Sequence, residues 1–221
     1  MGTYRDFLDD RDPLAFYGIF TDFERFITTD WTITTTEAGA GSATEALSAA
    51  LPGGVLVVTN DDADNDADFF QFAGGSGATV EPFLYTAGKK LRFATRLKVS
   101  DAADSDVIAG LAITDTSPLD ATDGIFFRKS DGDNTVKLVV VKNSTETAVD
   151  VAEMADDTFI ALEFYYDGAR LVAYADGAKV ASAALTNAPD DEQLALTFGV
   201  QNGEAAAKVL SVDYIGAWGE R

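Results

Sequence analysis

The chain has 221 residues, of which 37 are acidic and 16 are basic, and its formal net charge is −21. It contains no histidine and no cysteine, which excludes disulfides, thiolate or imidazole catalysis, and metal sites built from those residues. A surface this negative repels phosphates, so nucleic acid is not expected as a partner, whereas a hydrophobic content of 47% predicts a folded protein.

Residues 1–27 differ from the rest of the chain because aromatic and charged side chains are interspersed there without a clear strand pattern. One interpretation is that the aromatic rings pack on the domain beside them. The other is an N-terminal arm or short helix that docks on a neighbouring subunit. We therefore divide the chain into residues 1–27, with possible partner contacts, and a single β domain over residues 28–221. The candidate contact residues of the arm are Phe7, Phe16, Tyr17, Phe20 and Phe23.

From residue 31 onward the sequence predicts short β-strands. The clearest covers residues 89–100, where apolar side chains alternate with basic ones at a period of two. Its basic side chains, Arg92, Arg96 and Lys98, are expected to face carboxylates of the same domain or of a partner. Further strands are predicted at 31–36, 54–59, 106–114, 124–129, 135–142, 158–166, 170–175, 179–185, 194–201 and 208–218.

The closing strands and the turns between strands point to a two-layer fold. In residues 208–218, alternation predicts that Leu210, Val212, Tyr214 and Trp218 share one face. Turns are predicted at Asp131-Gly132, Asp167-Gly168, Asp176-Gly177 and Asn202-Gly203. About twelve short strands joined by such turns favour an all-β sandwich or jelly roll. No apolar run approaches the roughly 18 residues of a membrane helix, so no membrane contact is expected.

The densest group of carboxylates lies in residues 60–68. Oxygen ligands at alternate positions suit calcium, which makes Asp62, Asp64, Asp66 and Asp68 candidate ligands. The alternative is a solvated loop in which some of these acids form caps or turns. An EF-hand is excluded, because glycine is missing at the sixth position of the loop and glutamate at the twelfth. No other cofactor is expected.

The sequence offers no clear catalytic pattern. Retaining glycosidases built on jelly rolls carry acids that alternate along one strand, and Glu163 has no acidic neighbour two residues away. We therefore expect a protein that is not an enzyme. Several aromatic side chains are available either to stack on sugars or to fill the core and its rim, namely Trp31, Tyr165, Tyr166, Tyr174 and Trp218.

Residues 157–177 resemble the concanavalin A-like, laminin-G-type jelly roll, in which one strand ends in a Tyr-Asp-Gly-like turn and the next in Asp-Gly. Residues 210–215 are similar to the terminal strand of those domains. The resemblance implies a two-sheet antiparallel jelly-roll sandwich. Four short segments are more specifically similar to virion proteins of tailed bacteriophages, namely residues 53–60, 63–68, 122–129 and 201–206.

The resemblance to virion proteins implies a non-enzymatic component that decorates or cements the outer capsid surface. Its partner would be the major capsid protein, and it would form a small homo-oligomer. Because lectins also use this fold, the alternative is a carbohydrate-binding module for attachment to host glycans. Calcium held by the aspartates of residues 62–68 would then support binding.

Overall fold

The computed structural model describes residues 15–48 and 52–221, and these residues form sixteen β-strands and two single-turn 3-10 helices. No helix among them is long and apolar enough to cross a membrane. The helices are Thr28–Asp30 and Pro118–Asp120. The strands are β1 Phe16–Thr21, β2 Trp31–Thr36, β3 Thr44–Ser48, β4 Val55–Thr59, β5 Ala67–Phe72, β6 Phe83–Leu84, β7 Leu91–Val99, β8 Ser105–Ala112, β9 Gly124–Lys129, β10 Thr135–Lys142, β11 Thr145–Glu153, β12 Ile160–Tyr166, β13 Leu171–Ala175, β14 Ala178–Ala183, β15 Gln193–Asn202 and β16 Val209–Glu220.

The strands form two antiparallel sheets, here named sheet A and sheet B. Sheet A has the order β14-β13-β12-β7-β16-β4-β3, and β1 also pairs with β16. Sheet B has the order β11-β10-β9-β8-β15-β5-β2, and β6 also pairs with β15. Neighbours in each sheet are often distant in sequence, as expected for a jelly roll. The predicted two-sheet antiparallel jelly-roll sandwich is confirmed.

The core lies between the inner faces of the two sheets and is rich in aromatic rings. Phe70 and Phe198 stack with ring centroids 4.6 Å apart, and the ring of Trp31 meets that of Phe198 edge-on at 5.0 Å. Phe93 and Phe164 form a second stack at 5.4 Å. All five side chains are buried, so the apolar positions of the predicted strands supply the principal stabilisation of the sandwich.

The outer face of sheet B is also covered. Its apolar side chains form a second buried cluster, which includes Phe69, Ile108, Phe126 and Val139. The chain between β8 and β9 packs on this cluster through Ile113, Leu119 and Ala121. Sheet B is therefore apolar on both sides, whereas the outer face of sheet A carries charged and aromatic side chains.

One predicted pattern is wrong in β16. Leu210 and Val212 point into the core, but the next core residues are Ile215 and Ala217, whereas Tyr214 and Trp218 lie on the outer face of the sheet. A β-bulge between Val212 and Tyr214 shifts the register against β7. An extra residue at a bulge reverses which side chains face the core. The four residues predicted to share one face are therefore divided between the two faces.

The N-terminal segment is part of the sandwich from residue 16 onward. Phe16, Tyr17 and Phe20 lie in β1, which pairs with β16 over residues 215–220. Phe23 is 1% exposed and belongs to the core. The structure thus has a strand where the sequence predicted an arm or a short helix, and these rings pack on their own domain, which is the first of the two interpretations of the sequence. Phe7 lies outside the described residues, and contact of this segment with a partner remains a prediction.

Candidate functional site

The basic side chains of β7 lie on the outer face of sheet A, as the alternation predicts. Each forms an ion pair with a carboxylate of the same domain, which is one of the two environments expected from the sequence. The guanidinium of Arg92 also donates a 2.9 Å hydrogen bond from Nη2 to Glu163 Oε2. The ion pairs are Arg92–Glu163 at 2.9 Å, Arg96–Asp213 at 2.6 Å and Lys98–Asp157 at 3.1 Å.

Trp218 lies against the outer face of sheet A because two facing positions are glycine. A Cβ atom added to Gly18 would lie 2.3 Å from the indole, and one added to Gly216 would lie 2.9 Å from it. The Arg92 guanidinium carbon is 5.5 Å from the indole centroid. The ring of Phe20 stacks on the indole at 6.0 Å and is 55% exposed. Glycine in neighbouring strands thus makes room for an aromatic platform.

Further rings surround this platform. The Arg96 guanidinium carbon lies 4.4 Å from the ring centroid of Phe159, and the ring of Tyr214 lies 6.2 Å from that of Phe20. Strand register places Tyr174 beside Glu163, and Tyr165 beside Arg92. We call this surface the aromatic face and define it by the side chains of Phe20, Phe159, Tyr165, Tyr174, Tyr214, Trp218, Arg92, Arg96 and Glu163.

The aromatic residues singled out from the sequence separate into two groups. Tyr165, Tyr174 and Trp218 belong to the aromatic face, whereas Trp31 and Tyr166 are buried in the core. Sequence reasoning did not place Phe20 or Tyr214 on this face. The pairing of β1 with β16 brings Phe20 there, and the bulge in β16 turns Tyr214 outward. Neither feature leaves a local pattern in the sequence.

The predicted calcium ligands are split between the surface and the interior. Asp62 and Asp64 are exposed, whereas Asp66 and Asp68 are 1% and 0% exposed. The carboxylate of Asp66 accepts hydrogen bonds from the backbone N–H groups of Ala38, at 2.6 Å, and Ala63, at 2.9 Å. Asp66 therefore shapes the loop, as the alternative interpretation of these acids allowed.

A group of acids surrounds Asp66 and Asp68. Glu37, Asp61 and Asp66 each offer a carboxylate oxygen, and these oxygens lie within 4.8 Å of one another. Burial raises the pKa of Asp68 to about 7 against the hydrogen bond from Thr35, which lowers it, and the carboxylate of Glu45 adds to the rise. Oxygen-only donor sets suit hard cations.

A second group of acids, Asp101, Asp104 and Glu204, has its own cation within the chain. The side chain of Lys208 is 3% exposed, and its ammonium lies 2.7 Å from both Asp101 and Glu204. The hydrogen bond from Lys208 lowers the pKa of Asp101. An ammonium group of the chain thus already pairs with two of these three carboxylates.

Comparison with solved structures shows which folds the sandwich resembles. The carbohydrate recognition domain of Emp47p matches with a TM-score of 0.60 and 11% identity, covering 93% of this chain and 97% of that one. A family 16 glycoside hydrolase, an endo-glucanase from Bacteroides ovatus, gives 0.59 and 12%, covering 89% and 98%. An endo-β-1,4-glucuronan lyase from Trichoderma reesei gives 0.58 and 11%, covering 90% and 94%.

These identities are low, so the similarity establishes the fold alone, which is a concanavalin A-like jelly roll, as expected from the sequence. No protein-family model matches the chain, and a search of curated proteins found no match.

The expectation that the chain is not an enzyme is corrected by this comparison. Two of the three similar structures are enzymes, the endo-glucanase and the lyase. The expectation was based on the lack of one linear acidic motif. A folded sheet brings together side chains from several strands, so the absence of such a motif does not exclude catalysis.

Proposed function

We propose that this protein binds a neutral carbohydrate on the aromatic face of sheet A. The observation that carries the proposal is the indole of Trp218, which lies against the sheet with Phe20 and Arg92 beside it. Flat aromatic rings suit the C–H faces of sugar rings, and adjacent guanidinium and carboxylate groups suit hydroxyls. The carbohydrate recognition domain among the similar structures supports the same class of ligand.

The electrostatics of the face favour a neutral sugar over an acidic one. Glu163 and Asp213 offset the charges of Arg92 and Arg96, at distances of 2.9 and 2.6 Å. The chain as a whole carries a net charge of −21. The negative net charge of the chain would therefore repel a polyanion at long range. At short range, the charges of Arg92 and Arg96 are already offset by the carboxylates with which they pair.

Titration calorimetry against neutral and acidic oligosaccharides tests the proposal, after a glycan array has identified candidates. Phe20→Ala and Arg96→Ala are expected to weaken binding by about tenfold or more, because each removes a group from the face. Arg128→Ala is the matched control, since Arg128 also pairs with a carboxylate, that of Glu146, but lies on sheet B. Equal affinity of Arg96→Ala and Arg128→Ala would contradict the proposed face.

The same samples test for catalysis, because two of the similar structures are enzymes. Incubation of a bound polysaccharide with the protein, followed by assays for new reducing ends and unsaturated products, distinguishes a hydrolase or a lyase from a binding module. Glu163→Gln should abolish turnover if Glu163 acts on the bound sugar, because the amide cannot transfer a proton as a carboxylate does.

Decoration of a phage capsid remains a prediction from sequence resemblance alone, together with a homo-oligomeric state and a location on the virion surface. Deleting residues 2–14 leaves the whole of β1 in place, so particle occupancy of that variant tests the predicted arm without removing Phe23 from the core. Undiminished occupancy would exclude Phe7 as a contact.

A further inference from the structure

Strand β1 has an open edge on the side away from β16. The backbone N–H of Arg221 donates a 2.8 Å hydrogen bond to the carbonyl oxygen of Ala15, which fixes the phase of the ladder between β16 and β1. Backbone groups of an antiparallel strand point alternately to its two sides. Phe16, Gly18 and Phe20 therefore direct their N–H and C=O groups away from β16, and none of the described strands pairs with them there.

This edge carries none of the charges that usually protect an edge strand. The six residues of β1 include no charged side chain and no proline, whereas the edge strands β3, β11 and β14 each carry at least one charge. Unpaired backbone groups at an edge accept a further strand unless charge, proline or a bulge prevents it. Gly18 is exposed and Phe20 is 55% exposed, so the centre of the edge is accessible.

The charges around β1 differ between its two ends. Asp22 and Glu24 follow the strand; burial raises the pKa of Asp22, and the carboxylates of Asp213 and Glu24 add to the rise. At the other end, the ammonium of Lys90 lies 5.8 Å from the ring centroid of Phe16. A segment antiparallel to β1 would bring its amino end to the acids, where basic residues are favoured. The net charge of −21 attracts a basic segment and repels a second copy of the chain.

We infer that the open edge of β1 binds an extended peptide segment that runs antiparallel to it, with basic residues at its amino end and an apolar side chain opposite Gly18. The outward N–H and C=O groups of β1 would bond to the peptide backbone, as in other cases of strand addition to a sheet. On the outer face, the apolar side chain would lie between the rings of Phe16 and Phe20. The inference does not rest on the proposed carbohydrate binding, because it uses main-chain groups of β1.

The test uses a blocked synthetic peptide with two lysines at its amino end followed by alternating valine and threonine, titrated into the full chain. Saturable binding is expected, and its affinity should fall about tenfold between 50 mM and 0.5 M sodium chloride, because salt screens the attraction. Amide hydrogen exchange followed by NMR should show new protection at Phe16, Gly18 and Phe20, whereas the residues between them already bond to β16. Glutamates in place of the lysines should weaken binding by about tenfold or more.

Two pairs of variants separate backbone pairing from other contacts. Phe16→Pro and Phe16→Ala both remove the ring, but only proline removes an outward N–H, so Phe16→Pro should bind about fivefold more weakly than Phe16→Ala. Both are expected to fold, because the ladder with β16 does not use that N–H. Asp22→Asn with Glu24→Gln should weaken binding by about fivefold. Asp62→Asn with Asp64→Asn is the control with the same charge change, in exposed residues of the loop before β5, and should stay within about twofold.

Absence of saturable binding of the lysine peptide would overturn the inference, as would equal binding of the glutamate peptide or equal affinities of Phe16→Pro and Phe16→Ala. A dimer detected by sedimentation without peptide, and abolished in Phe16→Pro, would instead assign the edge to a second copy of the chain. Peptide affinity raised about tenfold by deletion of residues 2–14 would assign it to the N-terminal segment of the same chain. Either result would also overturn the inference.

Discussion

At the scale of single residues, Lys208 shows how an acidic protein uses its few bases. Burial of the ammonium lowers its pKa, but the hydrogen bonds to Asp101 and Glu204 outweigh this and raise the pKa above its usual value. Asp101 also accepts backbone N–H groups from Ala103, at 3.0 Å, and Asp104, at 3.1 Å. One ammonium group therefore bridges two carboxylates and joins the turn after β7 to the chain before β16.

Replacing Lys208 by methionine should lower the free energy of unfolding by about 2 kcal/mol, because it leaves close carboxylates without a cation. Denaturant titration at pH 7 measures the effect. Lys142→Met is the control with the same charge change, and because its partners Asp190 and Asp191 are exposed, it should lower the free energy of unfolding far less than Lys208→Met does. Equal losses in the two variants would contradict the assigned role of Lys208.

The effect of Lys208→Met should also depend on pH. Because the pKa of Asp101 is lowered in the folded protein, its contribution is fully present above the unfolded value of about 3.9 and is lost as the pH falls through the folded value. The difference between the unaltered chain and the variant should therefore shrink below about pH 4. A constant difference from pH 7 to pH 3 would exclude this linkage.

At the scale of secondary-structure elements, β16 determines what the outer face of sheet A displays. Its first part directs Leu210 and Val212 inward, and the bulge then turns Tyr214 and Trp218 outward. Asp213 lies at the bulge, is 8% exposed and pairs with Arg96. A single extra residue thus supplies an aromatic platform without loss of core packing on the other side.

Deleting Asp213 should abolish cooperative folding. The deletion removes the bulge, so that Tyr214 and Trp218 would turn toward the core and Ile215 and Ala217 toward solvent. Near-ultraviolet circular dichroism and thermal unfolding measure the outcome. Asp213→Asn keeps the chain length and should fold, which separates the effect of register from the loss of the ion pair. A cooperatively folded deletion variant would contradict the role given to the bulge.

Strands with regular alternation could be predicted from sequence, and β7 shows why. Leu91, Phe93 and Leu97 lie in the core, with Arg92 and Arg96 on the other face, so the pattern follows directly from burial. The strands β1, β3 and β11 escaped prediction, because each is only partly buried and carries few apolar residues in phase. Their pairing with neighbours, which the sequence does not reveal, holds them in place.

The sites were less predictable than the fold, because each draws on elements far apart in the chain. Asp66 and Asp68 could be singled out from their spacing in one loop. Glu37 and Glu45 could not, since the register of β2 with β5 and the packing of the two sheets bring them there. Likewise, Arg92 was predictable as a surface residue, but its position over Trp218 depends on strand pairing.

At the scale of the whole molecule, the charge of −21 acts as a distributed repulsion. Many of the bases are held in ion pairs at short distance, as with Arg92, Arg128 and Lys208. Most acids therefore have no basic partner, and their mutual repulsion opposes the compact state. Salt screens such repulsion over a Debye length of about 10 Å at 0.1 M and 3 Å at 1 M.

Raising sodium chloride from 10 mM to 1 M should therefore increase the thermal midpoint by about 3–6 °C. Scanning calorimetry measures the shift, and potassium chloride at the same concentrations should reproduce it, because screening does not distinguish the two cations. A midpoint that falls with salt would show that attractive pairs dominate the electrostatics.

The two tryptophans of the chain lie in different surroundings, and this gives the protein two separate optical reporters. Trp31 is packed among Phe70, Phe72 and Phe198 in the core, so its emission reports the integrity of the sandwich. Trp218 lies on the outer face of sheet A, so its emission reports what approaches that face. With Trp31 replaced by phenylalanine, the tryptophan fluorescence would come from Trp218 alone, and occupancy of the face could be followed without any added label.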